Sequence, residues 1–345
     1  MQGGSRGRVV GFVVAALVVG ALVAVVSGPQ RRCRGVELRG GAAADVEVGD
    51  RPLGGGLREL LGGGQVQYCG DFADPFVMVS GDEYFAYSTN SDGMLVPVLT
   101  RDELFRLGSR RDALAGLPPW AAQDATRVWA PSVLARGDRY VLYYTLGMPD
   151  GRQCISVAVG SDPDGDFVDR SPAPLICPEG HWAIDPSPFV AADGRAFLSW
   201  KAGDAGGIVA SELSPDGLGL VGEVRTLAEA DQAWEAGVVE GPSMVEDRGR
   251  YFLFYSGNDW RTANYAVGYA VCRSPLGPCT KPADGPWLSA SDGAQGPGGP
   301  ELFRDESGLW MVVHAWVGDE VGYPDGARNL FVLRVLFTPA GPVAA

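Results

Sequence analysis

EGPSMVEDRGRYFLFYSG, at residues 240–257, contains a short first segment, a hairpin turn at Gly249 and an aromatic-rich second segment. Apolar residues on both sides of a glycine-containing turn are typical of two antiparallel strands. The same plan occurs in DPFVMVSGDEYFAYST (74–89), APSVLARGDRYVLYYTL (130–146), DPSPFVAADGRAFLSWKAG (185–203) and GPGGPELFRDESGLWMVVHAW (296–316). The chain therefore contains one strand–turn–strand unit five times.

The even spacing of these units predicts the architecture. Their turn glycines, which are Gly81, Gly137, Gly194, Gly249 and Gly308, are 56, 57, 55 and 59 residues apart. This distance is close to one β-propeller blade of four strands plus loops. Further strand-like runs occur at 155–161, 208–213, 265–271 and 329–337. A two-sheet sandwich does not predict such regularity, so we expect an all-β, five-bladed β-propeller over residues 66–345.

The N-terminal region predicts export. Residues 9–26 carry no charge and follow Arg6 and Arg8, and they are long enough for a signal sequence or a minimal membrane span. We expect residues 1–27 to be a signal peptide or signal anchor, and the glycine-rich residues 28–65 to be a flexible spacer. The protein would then be secreted, or extracellular and membrane-anchored.

The charge balance excludes several kinds of partner. From Gly35 onward the chain has 23 basic and 42 acidic residues, a formal charge of −19. Such a surface repels nucleic acid and anionic lipid, so we expect membrane contact only through an uncleaved N-terminal segment. Neutral sugars meet no such repulsion.

Six cysteines in an exported chain predict disulfide bonds. Metal binding is less favoured, because the chain has no C-x-x-C motif and two histidines, His181 and His314. We expect Cys272 to pair with Cys279 and Cys154 with Cys177, because each pair brackets a turn region. Cys33 would then pair with Cys69.

When the repeats are aligned on the turn glycine, the position seven to nine residues before it is acidic in three of the five, namely Asp74, Asp185 and Glu240, and is Ala130 and Gly299 in the other two. The first strand of a propeller blade lies nearest the axis, so these positions would meet at one mouth of the central channel. A single acidic residue before proline or glycine indicates a turn, but three at equivalent positions indicate a pocket. Hydrolysis of an acetal needs one carboxylate to activate water and one carboxylic acid to protonate the leaving oxygen. A third carboxylate keeps that acid protonated by repulsion.

Several motifs resemble glycoside hydrolase family 43. They are ADPF (73–76), WAPS (129–132), IDPSPF (184–189), VVEGPSM (238–244), YAVGYAVCRSPLGP (265–278) and VVHAW (312–316). The resemblance implies an inverting mechanism with Asp74 as general base, Glu240 as general acid and Asp185 as modulator of the acid. It suggests an α-L-arabinofuranosidase acting on arabinan or arabinoxylan, with endo-arabinanase and β-xylosidase as alternatives. The partners would be oligo- or polysaccharides containing arabinofuranose or xylose.

The resemblance also implies further site residues. His314 in VVHAW looks like a histidine near the propeller axis that, in some members, helps to hold a calcium ion through water. Arg328 in GARNLF looks like an arginine that reaches the substrate, while no cofactor is obligatory. Trp129 and Trp182 lie just before pocket positions and are candidate sugar contacts. Gly299 departs from the family pattern, where a larger polar residue is expected, so the pocket wall there would be more open.

Two other functions are consistent with this propeller. A non-catalytic carbohydrate-binding propeller would be expected to have lost at least one of the three acids, and none is missing here. A transglycosylating relative that acts on fructose linkages through a covalent nucleophile shares the carboxylate triad, although IDPSPF and VVEGPSM resemble family 43 instead.

Overall fold

A computed structural model describes residues 1, 37–38, 64–101, 110–203, 206–282, 284–291 and 293–345. Nearly all regular structure in these ranges is β-strand, with short 3₁₀ helices at Ala125–Arg127 and Ala233–Glu235. No helix in this part of the chain is long and apolar enough to cross a bilayer. The apolar segment 9–26, most of the predicted spacer and Cys33 lie outside the described residues.

The described strands form five antiparallel sheets, which confirms the predicted five-bladed propeller. Blade 1 consists of β3 (Phe76–Ser80), β4 (Glu83–Tyr87), β5 (Pro97–Arg101) and β6 (Arg110–Asp112). Blade 2 consists of β7 (Val128–Arg136), β8 (Arg139–Gly147) and β9 (Gln153–Gly160). Blade 3 consists of β10 (Ala183–Val190), β11 (Ala196–Ala202), β12 (Ile208–Glu212) and β13 (Arg225–Ala228). Blade 4 consists of β14 (Val239–Asp247), β15 (Arg250–Gly257), β16 (Ala266–Cys272) and β17 (Cys279–Thr280).

Blade 5 joins the two ends of the domain. Its inner strands are β18 (Ala294–Asp305), β19 (Gly308–Val317) and β20 (Arg328–Thr338). The N-terminal strand β2 (Gly64–Tyr68) pairs with β20, and it also pairs with β1 (Glu37–Leu38), while β21 (Gly341–Ala344) pairs with another part of β20. The ring is thus closed by hydrogen bonds between its first and last strands.

The aromatic-rich second strand of each repeat packs against both neighbouring blades. Because side chains alternate along a strand, Phe252 and Phe254 of β15 face blade 5, where they meet Met311. Leu253 and Tyr255 of the same strand lie in the core shared with blade 3. This double burial explains why these strands are apolar on both faces.

Two of the predicted disulfides are confirmed. Cys154 is bonded to Cys177, next to blade 2, and Cys272 is bonded to Cys279 across β16 and β17. The pairing of Cys33 with Cys69 stays a prediction, because Cys33 is not among the described residues.

Candidate active site

The first strand of each blade is distorted at its axial end. A β-bulge interrupts the pairing of β7, β10, β14 and β18 with their second strands. Left-handed residues lie at this end in every blade: Asp74 (φ 49°) just ahead of β3, Ala130 (43°), Asp185 (58°), Gly241 (55°), and both Gly296 (54°) and Gly299 (59°) in β18. Glu240 therefore lies one residue before the position of Asp74 and Asp185, whereas the repeat alignment had made all three equivalent.

The three predicted catalytic carboxylates line one cavity of about 1100 Å³. Trp129, Trp182 and Arg328 line the same cavity, as predicted for substrate contacts, but His314 does not. Residues far apart in sequence thus meet in one place because the blades repeat around an axis.

Asp74 is held as a carboxylate. Its Oδ2 accepts a hydrogen bond from Thr89 Oγ1 at 2.6 Å, and its Oδ1 lies 3.4 Å from Arg328 Nη1. Burial acts to raise the pKa of Asp74, but Arg328, His314 and the Thr89 hydroxyl together outweigh it, so the pKa is lower than usual. Asp74 is accordingly ionised at neutral pH.

His314 lies behind Asp74 and is fully buried. Its Nδ1 accepts a hydrogen bond of 3.0 Å from the backbone N–H of Asp74. Burial, aided by Arg328, lowers the pKa of His314 to about 3, so the imidazole is neutral and its proton lies on Nε2. His314, predicted as a substrate contact, therefore contacts the backbone of Asp74 rather than the cavity.

The surroundings of His314 do not fit direct coordination of calcium. With Nδ1 as acceptor, Nε2 has no lone pair for an ion, and this buried atom has no hydrogen-bond partner among the described residues. The described residues also contain no group of three His, Cys, Asp or Glu side chains that could hold a metal. An ion held near His314 through water stays a prediction.

Asp185 is held by its backbone and by its carboxylate. Its N–H donates to Thr145 Oγ1 at 3.1 Å, and its Oδ2 accepts from the N–H of Gly241 at 2.9 Å. Burial first, then the carboxylates of Glu240 and Asp74, raise the pKa of Asp185 to about 8. Asp185 and the carboxylates beside it therefore resist simultaneous ionisation.

Glu240 is mostly buried, and both of its carboxylate oxygens have partners. Oε2 accepts from Lys201 Nζ at 2.8 Å, and Oε1 accepts from the hydroxyl of Tyr265 at 2.9 Å. Tyr265 fits there because Gly298 has no side chain: a Cβ at that position would lie 1.9 Å from the tyrosine ring. Neither Lys201 nor Tyr265 was among the predicted site residues.

A second layer of residues lies on or just after the second strands, opposite the start of each bulge or, in blade 1, opposite Ala73. We call it the second-strand ring, and its members are Thr89, Thr145, Lys201, Ser256 and His314. Four of the five accept a backbone N–H from the bulge residue of the next blade: Thr89 from Ala130, Thr145 from Asp185, Ser256 from Gly299 and His314 from Asp74. Each member lies six to eight residues after its turn glycine, so an alignment of the second strands would have identified the ring.

Aromatic rings flank the carboxylates in two groups. Trp129 and Trp182 have ring centroids 6.3 Å apart, and Trp182 is 38% exposed. In the other group, the Arg328 guanidinium lies 4.6 Å from the centre of the Trp260 ring and next to Tyr323, whose hydroxyl donates to Asp71. Tyr323 was not predicted because it lies between blade strands, outside the repeat.

Gly299 is required by packing. A Cβ at this position would lie 2.9 Å from His314 Nδ1 and 3.2 Å from the Cα of Asp74. The glycine thus allows the close approach of blades 5 and 1 that carries the His314–Asp74 hydrogen bond.

A five-bladed propeller with three carboxylates in an axial cavity defines a class of carboxylate-dependent carbohydrate-active proteins. Residues 68–342 match the family model described as Glycosyl hydrolases family 43. The chain belongs to this family.

Three similar proteins illustrate the range of the family. The chain is 28% identical over 62% of its length to the beta-D-galactofuranosidase xynD of Aspergillus niger, and 26% identical over 73% to a putative beta-xylosidase of Xylanibacter ruminicola. These matches span 65% and 46% of the two relatives. A solved thermostable family-43 glycoside hydrolase superimposes with a TM-score of 0.72 at 26% identity, covering 79% of this chain and 92% of that one.

Proposed function

We propose that this protein is an exported, inverting α-L-arabinofuranosidase that acts on arabinan or arabinoxylan. The observation that carries the proposal is the difference between the carboxylates of one cavity. Asp74 lies against the Arg328 guanidinium and the Thr89 hydroxyl, which favour its ionised form, while Asp185 and Glu240 line the same cavity in a buried position where adjacent carboxylates resist double ionisation. An inverting hydrolase needs such a base and such an acid in the same site.

In this mechanism Asp74 removes a proton from water as the water attacks the anomeric carbon. Glu240 donates a proton to the leaving oxygen, and the bond between that oxygen and the anomeric carbon breaks. Asp185 favours the protonated form of Glu240 because two adjacent carboxylates resist double ionisation. Arg328 and Thr89 hold Asp74 at the water-activating position.

The aromatic residues define where the sugar would bind. Trp182 is the most exposed tryptophan of the cavity wall that borders blade 3, and its ring faces Trp129. Sugar rings stack on such surfaces through their apolar faces. We propose that Trp129 and Trp182 contact the glycan, while Arg328 contacts both Asp74 and the sugar bound next to it.

A second candidate is β-D-galactofuranosidase activity, which the similarity to xynD favours. The ring carbons of an α-L-arabinofuranoside and a β-D-galactofuranoside have the same configuration, and the two sugars differ in the exocyclic group. A site built for one ring therefore fits the other if there is room for the longer chain.

The test compares 4-nitrophenyl α-L-arabinofuranoside, β-D-galactofuranoside and β-D-xylopyranoside, and then arabinan and arabinoxylan. We expect the highest kcat/KM on the arabinofuranoside and release of arabinose from polysaccharide. The first-formed anomer, observed by NMR, should have inverted configuration. A retained configuration would contradict the mechanism, and a preference for another glycoside would contradict the proposed substrate.

Export is tested separately, by expressing the full chain with and without residues 1–27. We propose that the full chain reaches the extracellular side, either free or membrane-attached. Retention of the full chain inside the cell would contradict this.

A further inference from the structure

Lys201 is the exception in the second-strand ring. An ammonium group has no lone pair and cannot accept a hydrogen bond, so the N–H of Gly241 donates to Asp185 Oδ2 instead. The Lys201 ammonium donates to Glu240 Oε2 at 2.8 Å. In the other blades the ring residue accepts a hydrogen bond from the backbone of the next blade. In blade 3 the ring residue, Lys201, is a cation that donates a hydrogen bond to the carboxylate of Glu240.

This ion pair is sheltered from solvent. The side chains of Lys201 and Glu240 are 10% and 12% exposed. Water and salt screen a pair of charges weakly in such a position, so the pair affects the ionisation of Glu240 more than a surface pair would.

Charged and titratable groups surround Glu240 on several strands. Lys201 on β11 and the hydroxyl of Tyr265, ahead of β16, favour the carboxylate form of Glu240 because both donate to it. The carboxylate of Asp185 on β10 disfavours it by repulsion, and Asp74, ahead of β3, is a further carboxylate of the same cavity. Arg328 is engaged with Asp74, and the neutral His314 lies behind Asp74.

We propose that Lys201 is a positioning residue that opposes Asp185: it holds Glu240 in place, favours its ionised form and so sets the upper pH limit of catalysis. The inference rests on the proposed role of Glu240 as general acid. A general acid acts only while it is protonated, so a cation that favours its carboxylate lowers the pH at which activity is lost. Lys201 and Asp185 then shift this limit in opposite directions.

The test measures kcat/KM against pH for Lys201→Met, which removes the charge at similar side-chain length. We expect the alkaline limb to move up by about one to three pH units, the usual effect of one adjacent charge. Lys201→Arg keeps the charge and should retain the limb near its wild-type position. In Lys201→Met/Asp185→Asn the limb should return towards wild type.

A second readout does not depend on turnover. In protein labelled with ¹³C at the glutamate carboxyl, the Glu240 signal is assigned by its loss in Glu240→Gln, and its titration midpoint should rise in Lys201→Met. If no tested glycoside is hydrolysed but this midpoint rises, the proposed reaction is wrong while the electrostatic role of Lys201 holds.

Lys281→Met is the matched control, because Lys281 forms another buried ion pair, 2.6 Å from Glu235. It should lower stability and leave the alkaline limb in place. If Lys201→Met does not fold, Lys201→Thr replaces it, since threonine occupies this ring position in blades 1 and 2. An unshifted or lowered limb and midpoint in a folded Lys201 variant would overturn the proposal and leave a structural role only.

Discussion

The three carboxylates of the cavity are chemically similar, and their neighbours make them different. Asp74 lies against a guanidinium and a hydroxyl, whereas Asp185 faces two other carboxylates in a buried site. Glu240 lies beside the carboxylate of Asp185, and it also accepts hydrogen bonds from Lys201 and Tyr265. Burial acts to raise the pKa of both Asp74 and Asp185, so the opposite directions of their shifts follow from the charges of their neighbours and not from the type of acid.

Replacing Asp74 or Glu240 by its amide should remove most turnover. Asp74→Asn and Glu240→Gln should each lower kcat on a natural glycoside by on the order of 10²–10⁴-fold, because the amides cannot exchange the required proton. Asparagine tolerates the left-handed backbone of Asp74, so the fold should persist. Steady-state kinetics together with circular dichroism would measure both effects.

Substrates with different leaving groups distinguish the acid role of Glu240 from the base role of Asp74. A substrate with a very acidic leaving group needs little protonation, so it should lose less activity in Glu240→Gln than a natural glycoside does. Equal losses on both substrates would contradict the acid role of Glu240.

Asp185 should affect the pH profile more than the fold. Asp185→Asn removes a carboxylate that favours protonated Glu240, so the alkaline limb of kcat/KM should move to lower pH and activity should fall. The amide oxygen can still accept the N–H of Gly241, which preserves the local hydrogen bond. An unshifted limb in the folded variant would reject the modulator role and leave those of Asp74 and Glu240 standing.

At the scale of the element, the site is carried by the left-handed residues at the start of each first strand, which form a β-bulge in blades 2 to 5. The sequence indicated the bulges only indirectly, through acidic or small residues before proline or glycine. It could not show that Gly241, rather than Glu240, takes the left-handed conformation in blade 4. The position of the left-handed residue depends on which backbone N–H has an acceptor on the neighbouring blade. In blade 4 this is the N–H of Gly241, and its acceptor, Asp185, is distant in sequence.

Two glycines of these bulges make a matched test. At Gly241 a Cβ would be in ordinary contact with its neighbours, 3.5 Å from Gly299, whereas at Gly299 it would lie 2.9 Å from His314. Gly241→Ala should cost about 1–2 kcal/mol of unfolding free energy from its backbone conformation alone. Gly299→Ala should cost more, because His314 or Asp74 must also move. Urea unfolding of both variants measures the difference in unfolding free energy. Equal losses in the two variants would show that the overlap of the Cβ added by Gly299→Ala with His314 is relieved at no cost in stability.

At the scale of the whole molecule, the fivefold spacing was sufficient to predict the propeller and its blade number, and the turns bracketed by the cysteines predicted two disulfides. The same spacing predicted that Asp74, Asp185 and Glu240 would meet. It did not predict Lys201, because the residue is informative only in comparison with the acceptors that occupy its position in other blades. Nor did it predict Tyr323 and Tyr265, which the loops and blade edges bring to the cavity.

His314 links the last blade to the first, and its ionisation should affect the stability of the ring. Its pKa is about 3 in the folded protein, against about 6.5 in an unfolded chain. Between these values the unfolded state binds a proton that the folded state does not, so His314 stabilises the fold above pH 6.5 and this stabilisation is lost as the pH falls. In His314→Asn the decrease in unfolding free energy over this window should be smaller by about 1.4 kcal/mol per pH unit.

Denaturant unfolding at several pH values between 7 and 4 would measure this slope. His181 is the other histidine of the chain and is exposed in a loop, so His181→Asn is the control and should keep the wild-type slope. Identical slopes in wild type and His314→Asn would show that His314 is not buried as a neutral group.

The pairing of β2 with β20 affects the timing of biosynthesis. Leu330, the partner of Tyr68, is made 262 residues later (330 − 68). At about 5–20 residues per second, β2 leaves the ribosome on the order of 15–50 s before a partner strand exists. Throughout that interval its hydrogen-bonding edge is open, and a strand from a second nascent copy could occupy it. A cell that makes this propeller therefore benefits from spacing its ribosomes widely along the message, or from a chaperone that shields GQVQY until the chain is released.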